Sequence, residues 1–597
     1  MSLWIAGITR GHNGGVCLLK DGEVVFSIEE ERLSRRKYDG GPLAAMTKIL
    51  DYTDKLDYLV IAHTTPVDDA GRIDFTYDNM YTGLARKLGL IDQHVHDHDE
   101  HPQVIDLSSV HHKLHAACAF YRSGFESATA VIVDGAGTFI PIAVNNNQVM
   151  TWELESIFSC EYPDNIVTLY KHQGARDPIP GVKMLMDSAK YGEPGKHEVC
   201  IDDTAGIVKS YEAVTDYCGF SFIEAGKTMG LSPYGKENSN IPKFFSDYGG
   251  KLWRTSNRNM VIPQYPNGAL INGNNYAELE TPDDFFADGN DVTMLDNRRD
   301  LAYRIQQDSQ EEVLKLIFKA VEMTGNKNVV LSGGYGLNCV ANYYYLDKLK
   351  EHGIKLYVEP VSSDAGTAMG GALFYHHVVT RNTKKYEYAD SLYLGFEPKY
   401  NNIDDLVEKY DAHIQDAQDK DVVKLLREKN IVALFQGKAE AGPRALGNRS
   451  LLFDPSFEDG KDWVNRVKRR EYFRPFAGTI LAEHVHEWFD LRGMEESPHM
   501  MYAVNCQPGV EGKIPSIIHV DGSCRIQTVT EKQNKNYYNL IKEFYEQTNI
   551  PIVFNTSFNL GGEPLVESLD DAIRTLYNSD IEYLYLPEID KLVTLKN

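Results

Sequence analysis

The chain has 597 residues, with 61 Lys and Arg against 86 Asp and Glu, a formal charge of −25. Hydrophobic residues make up 42% and charged residues 25%, which excludes a fibrous or largely disordered chain, and the length predicts several compact units. No apolar run approaches the roughly 18 residues that span a bilayer, so a soluble protein without a membrane partner is expected.

The first residues, Met-Ser-Leu-Trp-Ile-Ala-Gly-Ile, have neither a basic region nor a small-residue cleavage site, and read as a first strand rather than a signal peptide. An apolar stretch at 3–8 is followed by a Gly-rich turn at 9–15, a second stretch at 16–19, the hairpin signal Asp21-Gly22 and a third stretch at 23–28. A similar order returns at 128–133, 138–144 and 149–154, a weak internal repeat. Such a duplicated three-strand unit resembles the α/β superfamily shared by actin, the heat-shock chaperone ATPases and the sugar kinases. Helical character is expected at 108–120 and 300–323, and the strands at 329–331 and 356–358 run into loops, where α/β folds place ligand-binding groups. The polar segment 381–390 reads as a linker. Beyond it, a helix at 421–427, strands at 431–435 and 551–554, and a helix at 569–576 predict a second α/β domain, dividing the chain into 1–385 and 390–597. Eight scattered cysteines, none in Cys-x-x-Cys, predict a reducing cytoplasm rather than a disulfide framework.

Several constellations carry chemistry. His111 and His115 lie four apart on a predicted helix, so both imidazoles leave one face. Asp134 closes an apolar strand and Asp364 opens a Gly-rich helix; two His with one or two Asp suit Fe(II), Mn(II) or Zn(II) with positions open to phosphate oxygens. The run from Leu331 to Asn338, with Gly333 and Gly334, lacks the dinucleotide-binding spacing but lets backbone approach a ligand. The segment around Lys227 ends like a P-loop without its first glycine, and offers amides and one ammonium to phosphate. His12, in the first turn, is the default residue for a base near neutrality. In the C-terminal half, the string from Gln436 to Ser450 contains Arg444 and Arg449, and 461–474 adds six basic residues against two acidic, including Lys468, Arg470 and Arg474. Forked guanidiniums fit phosphate oxygens, so this region predicts a triphosphate or acyl phosphate site. Arg525 and the loop from Asn555, with Ser557, add donors.

Taken in order, Glu29-Glu-Glu31-Arg32, His-His-x-x-His-Ala, Gly-Lys-Thr-Met-Gly-Leu-x-Pro-Tyr-Gly, Gly-Gly-x-x-Leu-Asn, Asp-Ala-Gly-Thr-Ala, Gly-Pro-Arg-Ala-Leu-Gly-x-Arg-Ser, Phe-Arg-Pro-Phe-Ala and Asn-Thr-Ser-Phe-Asn resemble the O-carbamoyltransferases of the NodU/CmcH/TobZ type over nearly the whole chain. The resemblance implies an N-terminal domain similar to the threonylcarbamoyl-transfer protein of tRNA modification and a C-terminal domain similar to YrdC. It implies that the C-terminal domain converts ATP and carbamoyl phosphate into carbamoyl adenylate with release of pyrophosphate. The N-terminal domain, with bound iron, would then transfer the carbamoyl group to an acceptor hydroxyl. Carried onto this sequence, it makes His111, His115, Asp134 and Asp364 metal ligands, lets Gly333, Gly334 and Asn338 hold the adenylate, and gives His12 the acceptor. Arg444, Arg449, Lys468, Arg470, Arg474, Arg525, Asn555 and Ser557 would grip nucleotide and acyl phosphate, with Mg(II) accompanying ATP.

The expected acceptor is a small molecule, a sugar, secondary metabolite or nucleoside-like compound. The same chemistry on a hydroxymethylated pyrimidine of phage-type DNA is the alternative, disfavoured by the net charge of −25. Threonylcarbamoylation of tRNA and a nucleotide-gated binding module are further alternatives, and a homodimer is admitted.

Overall fold

A computed structural model describes residues 2–65, 80–93, 101–144, 147–175, 179, 181–188, 193, 195–202, 206–239, 241, 243–245, 253–255, 261–263, 296–385 and 391–595. The chain divides into two compact units, residues Met1–Val25 with Gly40–Ala389, and Phe26–Asp39 with Asp390–Asn597.

The first unit is built on two sheets of related topology. One contains β1 (Trp4–Thr9), β2 (Gly15–Lys20), β3 (Glu23–Glu29), β4 (Tyr58–Ile61) and β5 (Val104–Asp106), in the order β3-β2-β1-β4-β5. β2 runs antiparallel to β1, whereas β4 and β5 extend the sheet in parallel. The hairpin between β2 and β3 turns at Asp21 and Gly22, both at positive φ (53° and 89°), as a two-residue turn between twisted strands requires. The second sheet holds β6 (Ser127–Val133), β7 (Phe139–Val144), β8 (Asn147–Glu161), β9 (Asn165–Ala175), β10 (Val182–Asp187) and β11 (Lys196–Asp202). After the separate hairpin of β12 (Trp253–Thr255) and β13 (Val261–Pro263), it is completed by β14 (Asn328–Ser332) and β15 (Lys355–Val358). Its central order β9-β8-β6-β14-β15 repeats the first sheet, antiparallel on one side and parallel on the other.

The duplication is therefore present, with one correction to its boundaries. The stretch at 138–144 is a side hairpin, β7, paired among the described residues only with β8; the second strand of the repeat is the 15-residue β8, and the third is β9. Each half ends in a helix, His111–Arg122 after β5 and Ala365–Thr380 after β15, and the two pack together. Gly370 permits this approach, since a Cβ there would lie 2.0 Å from the Leu114 carbonyl oxygen. The expected helix at 300–323 lies within Asp296–Thr324.

The second unit is a mixed α/β layer. Its strands are β16 (Ala412–Asp416), β17 (Val432–Phe435), β18 (Arg449–Phe453), β19 (Ala477–Leu481), β20 (Phe489–Asp490), β21 (Ala503–Cys506), β22 (Ser523–Val529), β23 (Ile552–Ser557), β24 (Tyr583–Leu586) and β25 (Lys591–Leu595). They form one sheet in the order β16-β25-β24-β17-β18-β23-β19-β22-β21-β20. Helices Asp419–Arg427 and Lys535–Thr548 bury Val422, Leu426, Leu540 and Phe544 against Leu434, Leu452 and Val553 of this sheet. Residues 26–39 fold with this unit, although the sequence placed them inside 1–385; of the expected linker at 381–390, residues 386–390 lie outside the described set. No helix among the described residues is long and apolar enough to cross a membrane.

Candidate metal centre and cationic pocket

The helix His111–Arg122 starts with backbone amides that lack intrahelical partners, and side chains from the second sheet supply them. His111 N–H donates to Thr138 Oγ1 (3.0 Å) and His112 N–H to Glu153 Oε2 (3.4 Å), while Thr138 N–H also donates to Glu153 Oε2 (2.9 Å). Glu153 is fully buried and ion-paired with Lys171, which together with His112 holds its carboxyl below the usual range despite burial. The start of the helix is thus fixed, and His111 and His115 face one point.

Two loops bring carboxylates to that point. Asp134 follows β6 and accepts a hydrogen bond from Gly334 N–H (2.8 Å). Gly333 has φ +88°, and a Cβ there would lie 2.3 Å from the Val133 carbonyl oxygen, so this approach of two strand ends needs glycine. Asp364 precedes the helix Ala365–Thr380. Its loop is anchored from below by Arg122, at the far end of the His helix, whose Nε donates to both oxygens of Glu359 (3.1 and 3.2 Å). One ligand atom from each of His111, His115, Asp134 and Asp364 lies within 4.8 Å of the others. Asp364 Oδ1 is 3.5 Å from His111 Nε2 and 3.6 Å from His115 Nε2.

Neither ring nitrogen of His111 or of His115 has a hydrogen-bond partner among the described residues, and both rings are buried. Orphaned buried nitrogens, one from each ring facing the carboxylates, are costly unless something else binds them. Two imidazoles and two carboxylates at this spacing fit a divalent transition cation. Burial opposes charge on His111, yet Asp364 and then Asp134 raise its pKa; burial likewise opposes ionisation of Asp364, but His111 and His115 hold it well below the usual carboxylate range.

His12 is exposed on the β1–β2 loop, and its charge reaches Asp364 and Glu212. Two neighbours were not singled out from sequence. His63 follows β4 beside Ala62, whose carbonyl accepts Thr9 Oγ1 (2.9 Å) and Thr367 Oγ1 (3.2 Å), and Thr64 O accepts Phe139 N–H (3.0 Å), tying the segment to both carboxylate loops. Burial, reinforced by His111 and Arg10, pushes His63 down to about 4. Glu212, on the helix Gly206–Tyr217, has Oε1 2.5 Å from where a Cβ of Gly135 would sit, and burial raises its pKa. A histidine ending an apolar strand was a readable signal for His63; Glu212 had none.

Other expected ligand groups are engaged locally. Asn338 Oδ1 caps the helix Cys339–Lys350 by accepting Ala341 N–H (3.1 Å), and its amide exchanges hydrogen bonds with Gln306 (3.0 and 3.2 Å). The Lys227 ammonium pairs with Glu224 (2.9 Å).

In the second unit, register places Asn555 of β23 and Arg525 of β22 on either side of Ala477 in β19, so all three side chains leave one face of the sheet. Asn555 Nδ2 donates to Thr479 Oγ1 (2.9 Å), Gln527 Oε1 (3.3 Å) and Ala445 O (3.2 Å); its buried Oδ1 has no partner among the described residues. Lys468 is buried, its ammonium donating to Ser557 O and to Asn559 O (2.8 Å). Arg470 lies over the Phe476 ring at 4.6 Å and donates to Pro475 O (3.3 Å). Burial, then Arg470 and Arg474, push the Lys468 pKa well down; burial, then Arg474 and Arg525, do the same to Arg470. Four cations thus repel one another, against Glu471, 3.5 Å from Arg474, and Glu563. Arg469, by contrast, turns away to Asn578 O (2.8 Å).

Arg444 is half-buried in the loop before β18. Arg449, expected to grip nucleotide, is fully buried over the Phe435 ring at 3.9 Å and donates to the carbonyls of Gln436 (2.6 Å), Gly437 (3.0 Å), Asn448 (3.0 Å) and Glu567 (3.2 Å). Its two terminal nitrogens hold the 436–449 loop, while Nε has no partner among the described residues.

The Carbamoyltransferase N-terminus family model matches residues 71–373 and the Carbamoyltransferase C-terminus model residues 423–591. Nodulation protein NolNO of Sinorhizobium fredii is 28% identical, covering 96% of this chain and 78% of that protein. The 3'-hydroxymethylcephem-O-carbamoyltransferase of Streptomyces clavuligerus is 31% identical over 42% of this chain and 46% of its own. Among solved structures, full-length HypF in the phosphate- and nucleotide-bound form aligns with a TM-score of 0.36 at 14% identity, covering 63% of this chain and 56% of HypF. The chain belongs to the carbamoyltransferase family. It is an enzyme of that kind, of the NodU/CmcH type.

Proposed function

We propose that the protein is an ATP-dependent O-carbamoyltransferase that uses carbamoyl phosphate and works through carbamoyl adenylate. The observation that carries the first half is the group Lys468, Arg470, Arg474 and Arg525, whose mutual repulsion a polyphosphate would relieve. Carbamoyl phosphate, ATP and water give carbamoyl adenylate, pyrophosphate and orthophosphate. Lys468 and the arginines offset charge on the phosphate oxygens as the α-phosphorus is attacked, and Asn555 Oδ1 offers an acceptor to the carbamoyl NH2.

The first unit takes the second half, in which the acceptor oxygen bonds to the carbamoyl carbon, its proton leaves, and AMP departs. A divalent cation, Fe(II) by preference, held by His111, His115, Asp134 and Asp364 supplies Lewis acidity toward phosphate oxygens when bound. His12 receives the acceptor proton, and the Gly333–Gly334 turn lets backbone approach the nucleotide closely. Because a carbamic-phosphoric anhydride hydrolyses readily, forming it in one unit and consuming it in the other favours a route that excludes water. A small hydroxylated molecule is the acceptor this reading favours, in a cytoplasmic setting in keeping with eight free cysteines.

ATP and carbamoyl phosphate without acceptor should yield pyrophosphate in step with ATP consumed, and absence of pyrophosphate would overturn the reading. A mass-spectrometric screen of hydroxylated compounds, nucleosides and DNA included, should find a carbamoyl mass gain that depends on both co-substrates.

A further inference from the structure

The motif Glu29-Glu30-Glu31-Arg32 takes no part in either site described above, yet all four of its charged residues are buried. It lies in Phe26–Asp39, the one N-terminal segment that folds with the second unit. Ser27 N–H donates to Leu394 O (2.8 Å), and the Phe26 ring lies 5.2 Å from that of Phe396, anchoring its start. A short helix, Glu30–Ser34, then ends at Arg35 in the left-handed region (φ 60°), and Glu31 closes the turn by accepting Lys37 Nζ (2.7 Å) and Tyr38 N–H (2.9 Å).

This geometry aims two guanidiniums at two different loops. Arg32 Nη2 donates to Gly442 O (2.8 Å), at the head of the Gly-Pro-Arg-Ala-Leu-Gly loop that carries Arg444. The same loop is held at its other end by Glu440, whose Oε1 accepts the amides of Leu446 (2.7 Å), Asn448 (2.8 Å) and Arg449 (3.2 Å). Arg35 donates to Leu565 O (2.6 Å) and Pro564 O (2.9 Å), with its Nε 3.4 Å from Asp571, and so fixes the far end of the loop whose Ser557 and Asn559 receive Lys468. Hydrogen bonds from buried charged donors to carbonyls are among the stronger ones in a protein.

We propose that residues 26–39 are a strap belonging to the nucleotide-binding unit, with Arg32 and Arg35 as positioning residues that hold the Arg444 loop and the Ser557–Leu565 loop in register. The proposal rests on the reading that this unit forms the adenylate, but the strap itself can be tested without that chemistry. The full-length protein and its Arg32→Gln, Arg35→Gln and Arg32→Lys variants would be compared by hydrogen–deuterium exchange and by pyrophosphate release. Exchange at 442–449 should rise about tenfold or more in Arg32→Gln, and at 558–566 in Arg35→Gln, with β6 peptides unchanged. Turnover of pyrophosphate should fall about tenfold in both, through kcat more than KM for ATP, and Arg32→Lys should recover part of it. Unchanged exchange in both loops would overturn the proposal, as would equal acceleration in β6, the mark of general destabilisation. If the unmodified protein makes no pyrophosphate, the adenylate reading fails, while the exchange result still decides the strap.

Discussion

Replacing Arg122 with Met tests how the cluster of His111, His115, Asp134 and Asp364 is held. Arg122 and Glu359 are the most completely buried ion pair near the cluster, with side chains 1% and 0% exposed. Glu359 keeps two other donors, Val361 N–H (2.9 Å) and Tyr357 O–H (3.1 Å), so the variant leaves a buried carboxylate still hydrogen-bonded but with its charge unopposed. Breaking a buried pair from one side costs about 3–5 kcal/mol. Unfolding the roughly 375 residues of the first unit carries about 0.8 kcal/mol per kelvin, so its calorimetric transition should fall by about 4–6 °C. In the double variant Arg122→Met/Glu359→Gln no charge is stranded, and most of that loss should be regained. Since Glu359 lies at the base of the loop carrying Asp364, the single variant should also bind metal more weakly, by about 10–100-fold. A single variant melting within about 1 °C of the parent, or a double variant no better than the single, would refute this account of the loop.

His115→Ala and Asp364→Asn should each lower bound divalent metal from about one per chain to a small fraction by elemental analysis, leaving pyrophosphate release intact while abolishing carbamoyl transfer; retention of full metal would remove these residues from the ligand set. Lys468→Met should cut pyrophosphate formation by roughly 10²–10³-fold, a loss in line with removing a pre-organised charge, and undiminished turnover would exclude Lys468 from the reaction. His172 is held between Glu155 (2.5 Å) and Asp202 (3.1 Å); burial opposes its charge, but these carboxylates raise its pKa well above the ordinary 6.5. The folded state therefore binds the proton more tightly than the unfolded chain, so this stabilisation is complete below pH 6.5 and is lost as pH rises through the raised value. Melting temperature should accordingly decline above pH 6.5 in the parent and less steeply in His172→Gln, and parallel profiles would refute it.

What the sequence made legible is what short-range periodicity encodes. Positions 111 and 115 share a helix face whatever surrounds them, and a carboxylate closing an apolar strand, as Asp134 does, is directed to the end of a sheet. The duplicated fold was legible for the same reason, though β7 imitated a repeat strand because a side hairpin alternates just as a sheet strand does. Illegible were features set by distant partners. Arg449 reads as a phosphate donor until its carbonyl partners, one of them from Glu567, are in place. Residues 30–39 after β3 read as part of the first domain, because nothing local says that Arg32 will meet Gly442.

The same distinction bears on which buried polar residues are proposed to serve the chemistry. Arg449, Asn338 and Glu153 are as polar and as buried as His111, His115 and Asn555, and residue type alone does not divide them. Satisfaction does. Arg449 gives four hydrogen bonds to carbonyls through its terminal nitrogens, with only Nε lacking a partner among the described residues, and Glu153 receives amides and an ammonium, so each stabilises a loop or helix end without any ligand. The imidazole nitrogens of His111 and His115 and the Asn555 Oδ1 remain without partners among the described residues. Buried polar atoms in that state cost roughly 1–3 kcal/mol each, a cost that binding a cation or a carbamoyl amide would recover at these positions.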